Sequence, residues 1–141
     1  MSKTAFNWQD PFAFNTLLTE EERMIRDAAN GFAQSELQPR VIEAFREEVD
    51  APELFPLMGA AGLLGATIPE EFGGAGMNVT QYAQTILTLS YAMPAFRSII
   101  SINIGMFASA LKNGGTEAQK AEWLPRIAAG EIACFGLTEP G

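Results

Sequence analysis

Between Phe72 and Leu111 the chain carries one charged side chain, Arg97. The rest of its nine Lys and Arg and seventeen Asp and Glu lie in the flanks. Forty residues with so little charge must be hidden from water, as the interior of a helical bundle or as a face covered by another part of a larger protein. Gln, Thr, Ser, Asn and Pro punctuate the stretch. No window is therefore expected to supply the roughly 18 to 20 consecutive apolar residues of a membrane-spanning helix.

Composition excludes several kinds of chemistry. The chain has no histidine, which rules out Ser-His-Asp and Cys-His nucleophile systems and imidazole metal sites, and no metal site is expected. One cysteine, Cys134, cannot form a disulfide within the chain, so a reducing, cytoplasmic setting is the expectation. A net charge of −8 argues against tracking phosphates along a nucleic acid. The opening Met1 to Asp10 has neither the apolar core of a secretory signal nor the arginines of a transit peptide.

Helical signals dominate. Thr19 and Glu22 have capping-box spacing, and Met24, Ile25, Ala28, Ala29 and Phe32 then mark one apolar face. Pro39 should bend or restart this helix, which runs on through Val41, Ala44 and Phe45 toward Glu48. Asp50 is placed to cap a short second helix carrying Leu54, Leu57 and Met58, with Pro52 in its first turn. The glycine-rich stretch from Pro69 to Gly76 reads as a loop. A third helix is expected over Val79 to Met93 and a fourth from Pro94 to about Leu111. Thr116 with Gln119 opens a fifth, which Gly130 ends.

Ala133 to Leu137 is a short apolar run suited to one strand. One strand cannot satisfy its own backbone groups, so it needs a sheet from elsewhere. The expected fold is all-α, an orthogonal or up-down helical bundle that ends in one short strand of a missing β-domain. Residues 1–17 form an N-terminal extension, 18–131 the helical domain, and 132–141 the start of a truncated second domain.

Two regions could carry chemistry. Ser98, Ser101, Gly105 and Ala108 form a stripe of small residues if the fourth helix is regular, and either a neighbouring helix or an elongated ligand could lie along it. Arg97 stands at the amino end of that helix, where it, Ser98 and unpaired first-turn N–H groups would receive a carboxylate or phosphate. The bland alternative is an arginine in water. The second region is Cys134 to Gly141, where Gly136 permits close backbone approach and Thr138 offers a hydroxyl. Cys134 itself reads as a small apolar core residue, and Gly73 to Gly76 as a turn without phosphate-loop chemistry.

At these residues the sequence resembles the amino-terminal part of the flavin-dependent acyl-CoA dehydrogenases. Cys134 to Pro140 (CFGLTEP) is similar to that family's signature, preceded by the matching Gly115 to Glu131. Pro69 to Gly76 and Gly62 to Gly65 match the family's loop and the turn before it. Within the family the chain most resembles the glutaryl-CoA dehydrogenase subgroup, through Phe6 to Pro11, Leu18 to Arg23, Pro39 to Val41 and Phe96-Arg97-Ser98. Seven residues before the arginine stands Ser90, where that subgroup has a glutamate.

The resemblance implies α,β-dehydrogenation of an acyl-CoA thioester, glutaryl-CoA or a related acyl-CoA, with FAD as cofactor. It implies substrate binding by Arg97, Ser98 and Ser101, and flavin contacts from Phe135, Leu137 and Thr138. It further implies an electron-transfer flavoprotein or similar acceptor and a homo-oligomeric complete enzyme. The family's catalytic glutamate belongs to a later helical domain, so no catalytic residue is expected in this chain and no activity from it alone. A second reading is a non-catalytic helical interaction module derived from that domain.

Overall fold

The computed structural model describes residues 6–8, 10–134 and 136. Helix α1 spans Glu20–Phe32 and opens with the expected capping box: the Glu22 amide donates to Thr19 Oγ1, and the Thr19 amide donates to Glu22 Oε2 at 2.8 Å. The backbone stays helical past Phe32, widening to a π-helical stretch at Ala33–Leu37 and tightening to a 3₁₀ turn at Gln38–Arg40 before α2, Val41–Glu47. Pro39 lies in that turn, so the change of pitch accommodates the missing N–H without breaking the helix. Glu48, with φ of 52°, ends α2.

Helix α3 is Leu54–Ala60, three residues later than Asp50 would allow as its cap. Asp50 is exposed in an irregular segment, and Glu53 occupies the cap without a side-chain bond. Pro56 explains the shift. A helix starting at Leu54 keeps Pro56 within the first turn, where an N–H has no intrahelical partner to lose. At its other end α3 closes in a Schellman motif, with Leu63 N–H donating to Met58 O and Gly62 N–H to Gly59 O, both at 2.9 Å. Gly62, at φ of 73°, takes the left-handed position this requires.

The loop from Pro69 to Gly76 folds back on residues 65–68 through amides of Ala75, Gly76 and Met77. Gly74 is the tight point, since a Cβ there would stand 2.0 Å from the Ile68 carbonyl oxygen. Helix α4, Val79–Ala92, begins with a further capping box, Asn78 with Gln81. Met93 is extended, and α5, Pro94–Ser101, starts with proline at its first position. It runs without interruption through a π-helical segment, Ile102–Ala108, into α6, Ser109–Gly114. Helix α7, Glu117–Ala128, carries the expected Thr116–Gln119 capping box, and Gly130 ends it at φ of 117°.

Helix α1 packs along α4, α4 against α5, and α7 against α6 and the turn Glu70–Phe72. Buried residues fall into two clusters. The larger joins Leu37, Leu54, Met58, Leu64, Leu89 and Ile100, and the smaller joins Ile68, Ala108, Leu124, Ile127 and Ala128. The helical class is the one expected. Of the expected closing strand, Ala133, Cys134 and Gly136 are irregular, and Phe135 and Leu137 lie outside the described residues; among the described residues nothing supplies the partner a ladder needs.

A second expectation is corrected. The continuous helix Pro94–Gly114, 21 residues with a mean hydropathy of 1.2, is long and apolar enough to cross a membrane by length and composition. Only Arg97 and Lys112 charge it, and its polar residues are too short and too few to lower the average. A helix packed on one side of a helical domain meets the same criterion, and Phe96, Ile100, Ile104 and Ala108 bury that side here.

Two glycines on these helices should respond oppositely to alanine. At Gly59 a Cβ would stand 2.4 Å from the Ala129 carbonyl oxygen, so Gly59→Ala should cost about 1 to 3 kcal/mol in urea denaturation. Exposed Gly31 in α1 has open space around it, and Gly31→Ala should stabilise by about 0.5 to 1 kcal/mol. Thr116→Ala, which removes the α7 cap, should cost about 1 kcal/mol in the same assay.

Candidate functional site

Pro94 and extended Met93 place the start of α5 at a sharp corner after α4. No side chain caps α5, so its first-turn N–H groups carry the helix's positive end toward whatever lies beyond it. Arg97 sits in this first turn, half-buried, and makes no hydrogen bond or ion pair with any described residue. Arg26 pairs with Asp27, Arg40 with Glu36 and Glu53, and Arg126 with Glu131; Arg46 also has no partner among the described residues, but it is exposed to water. A guanidinium that has given up part of its hydration without gaining a carboxylate keeps its donors open to an anion.

Ser98 is beside it, half-buried, its hydroxyl donating to the Pro94 carbonyl at 3.2 Å. That oxygen keeps acceptor capacity, and the hydroxyl can turn to a better partner. Ser101 follows one turn on, also half-buried. The three substrate-site residues of the sequence reading are therefore on consecutive turns of one helix. Ser90 is spent locally, donating to the Ile86 carbonyl at 2.6 Å.

The stripe of small residues does not continue. From Ile102 the backbone is π-helical, with more residues per turn, and later positions rotate away from where α-helical spacing puts them. Gly105 is exposed with open space around it, while Ala108 is buried in the smaller core. Arg97 also does not line the apolar groove of about 360 Å³ between α2, α3 and α5, whose walls include Arg40, Phe55, Met93, Phe96 and Ile99.

The second region is entered from α7. Arg126 and Glu131 are joined by two hydrogen bonds, Nε to the carboxylate at 2.9 and 3.0 Å, and the Glu131 amide donates to the Arg126 carbonyl. The Glu131 carboxylate holds the Arg126 guanidinium still more firmly protonated, and that guanidinium stacks 4.2 Å above the Trp123 ring. Beyond this corner Ala133 N–H donates to Asn103 Oδ1 at 2.8 Å, across thirty residues of sequence. Cys134 is exposed, not buried in a core, because the chain there leaves the helical body. Phe135, Leu137 and Thr138 lie outside the described residues.

Asn103 is the residue that sequence reasoning passed over. It is 1% exposed, and its one visible signal is an amide among the apolar Ile102 and Ile104.

Comparison with known proteins places this architecture. The family described as Acyl-CoA dehydrogenase, N-terminal domain, matches residues 19–131. The chain is 38% identical over 124 residues to an acryloyl-CoA reductase (NADH) from Anaerotignum propionicum, covering 87% of this chain and 31% of that protein. It is 35% identical to a short-chain specific acyl-CoA dehydrogenase from Clostridium acetobutylicum, covering 87% and 33%. A glutaryl-CoA dehydrogenase from Mycobacterium smegmatis, solved in complex with FADH2, superposes with a TM-score of 0.86 at 36% identity, covering 92% of this chain and 33% of that one. The chain thus spans about a third of the length of the relatives it matches. On the profile match and the shared helical fold, it belongs to the acyl-CoA dehydrogenase family and corresponds to that family's N-terminal domain.

Proposed function

We propose that this chain is the N-terminal domain of an FAD-dependent acyl-CoA dehydrogenase that desaturates the α,β bond of glutaryl-CoA or a closely related acyl-CoA. The observation that carries the substrate reading is Arg97, half-buried, without a partner among the described residues, at the uncapped start of α5. An acyl chain ending in a carboxylate supplies the missing anion, with Ser98 and Ser101 as hydroxyl donors along the same helix. The likeness to a glutaryl-CoA dehydrogenase supports this choice of acyl group.

The cofactor reading rests on family and on the open backbone after Glu131. Carbonyls from Glu131 to Cys134 accept no hydrogen bond among the described residues, and Gly136 has open space where a side chain would stand. Such a strip fits the edge of a flat heterocycle, with Phe135, Leu137 and Thr138 as its continuation. FAD, when bound, supplies the two-electron acceptor. This chain's part is to orient the acyl group at Arg97 and to deliver the segment that meets the ring. No residue here is assigned the proton abstraction. An electron-transfer flavoprotein as acceptor, homo-oligomeric assembly and a cytoplasmic setting belong to the same proposal.

A second reading, a helical interaction module without catalysis, draws on exposed apolar side chains such as Phe45, Tyr91 and Met106. Reading the coding DNA past the Gly141 codon separates the two. A continuation into further domains, and a purified yellow protein that reduces a dye with acyl-CoA, are expected of the enzyme. A stop codon there, with a colourless self-associating product in light scattering, would establish the module instead.

Within the enzyme, Arg97→Ala should lower kcat/KM for glutaryl-CoA by about 10- to 150-fold, the loss of a charged hydrogen bond of about 1.5 to 3 kcal/mol. Butyryl-CoA, which has no distal carboxylate, should be turned over as before. Equal losses on both thioesters would make Arg97 a structural residue.

A further inference from the structure

Asn103 lies in the π-helical segment of the long helix, 1% exposed, in a region otherwise built from apolar side chains. Its oxygen accepts the Ala133 N–H at 2.8 Å, which fixes which end of the amide faces that residue. Its Nδ2 is buried and has no hydrogen-bond partner among the described residues. An apolar residue of similar size would fill the same space without leaving a donor unsatisfied, an omission that is costly in a core. The place of the amide in this core therefore rests on what it holds.

What it holds is the exit from the helical domain. Gly130 turns the chain at a positive φ against the Phe55 carbonyl, and the Arg126–Glu131 pair secures the next residue. Asn103 then catches Ala133, two residues farther on. The carbonyls of this same exit segment, from Glu131 to Cys134, accept no bond among the described residues and are of the type the orphaned Nδ2 requires. In an extended strand the N–H and C=O of one residue point to the same side. One carboxamide can thus pair with both.

We infer that Asn103 is a positioning residue: its carboxamide docks the segment beginning at Ala133 onto the long helix by accepting the Ala133 N–H and, as that segment extends, donating Nδ2–H to one of its carbonyls. It stands in for the first rung of a strand pairing. That the docked segment carries flavin contacts rests on the function proposed above; the docking itself does not.

Amide hydrogen exchange followed by NMR on the full chain tests it, comparing wild type with Asn103→Leu, which keeps the volume and removes both ends of the amide. The Ala133 amide should exchange about tenfold or more faster in the variant, while amides of α1 and α4 keep their rates and the thermal midpoint holds or rises. Ala133→Pro removes the same bond from the other side while leaving Asn103 and its helix intact, and should speed exchange at Cys134 and Gly136 in the same way. An Ala133 amide as labile in wild type as a free loop, or faster exchange spread evenly over the whole domain in Asn103→Leu while Ala133→Pro leaves Cys134 and Gly136 unchanged, would overturn the assignment. An FAD titration monitored by flavin fluorescence, run on the complete protein, is independent. If wild type binds no FAD while the exchange result holds, the flavin reading fails and the docking stands.

Discussion

Ile104 and Ala108 lie four residues apart on one helix yet belong to different hydrophobic clusters. The rod from Pro94 to Gly114 is the member that both cores share, and its near absence of charge makes this possible. A lysine or glutamate at Ile100, Ile104 or Ala108 would have to be desolvated in one core or the other, with no partner within reach. The remaining helices are arranged around that requirement. Helices α1, α3 and α4 complete the larger core, and α7 with the Glu70–Phe72 turn closes the smaller one.

The helices whose starts are written in short-range chemistry were legible before the structure. Thr19 with Glu22 and Thr116 with Gln119 cap as their spacing requires, and Asn78 with Gln81 obeys the same rule though it was passed over. Asp50 misled because a good cap residue says nothing about a proline six positions later, and Pro56 decided the start of α3. The π-helical segments carried no readable local signal. Their hydrogen-bond pattern is chosen by what the widened turn can bury, here adjacent Asn103 and Ile104, and this is settled by neighbours distant in sequence.

The candidate site divides along the same line. Arg97 could be found because isolation is visible in one dimension: a single cation in forty uncharged residues has to be accounted for. Its lack of a partner among the described residues sharpens that reading. The small-residue stripe failed because it assumed a pitch that the helix abandons at Ile102. Asn103 was hidden for the opposite reason. Its importance lies in a bond to Ala133, and no spacing rule connects residues thirty apart.

The division into a larger and a smaller cluster also sets an order of fragility. The smaller holds α7 with few buried side chains, and the chain that leaves α7 passes directly over it. Brief openings should be cheapest there, and such an opening would loosen the departing chain while α1, α3 and α4 stay assembled. The domain then acts as a firm base with a hinged corner, so that whatever lies downstream can settle into place after the base has already folded.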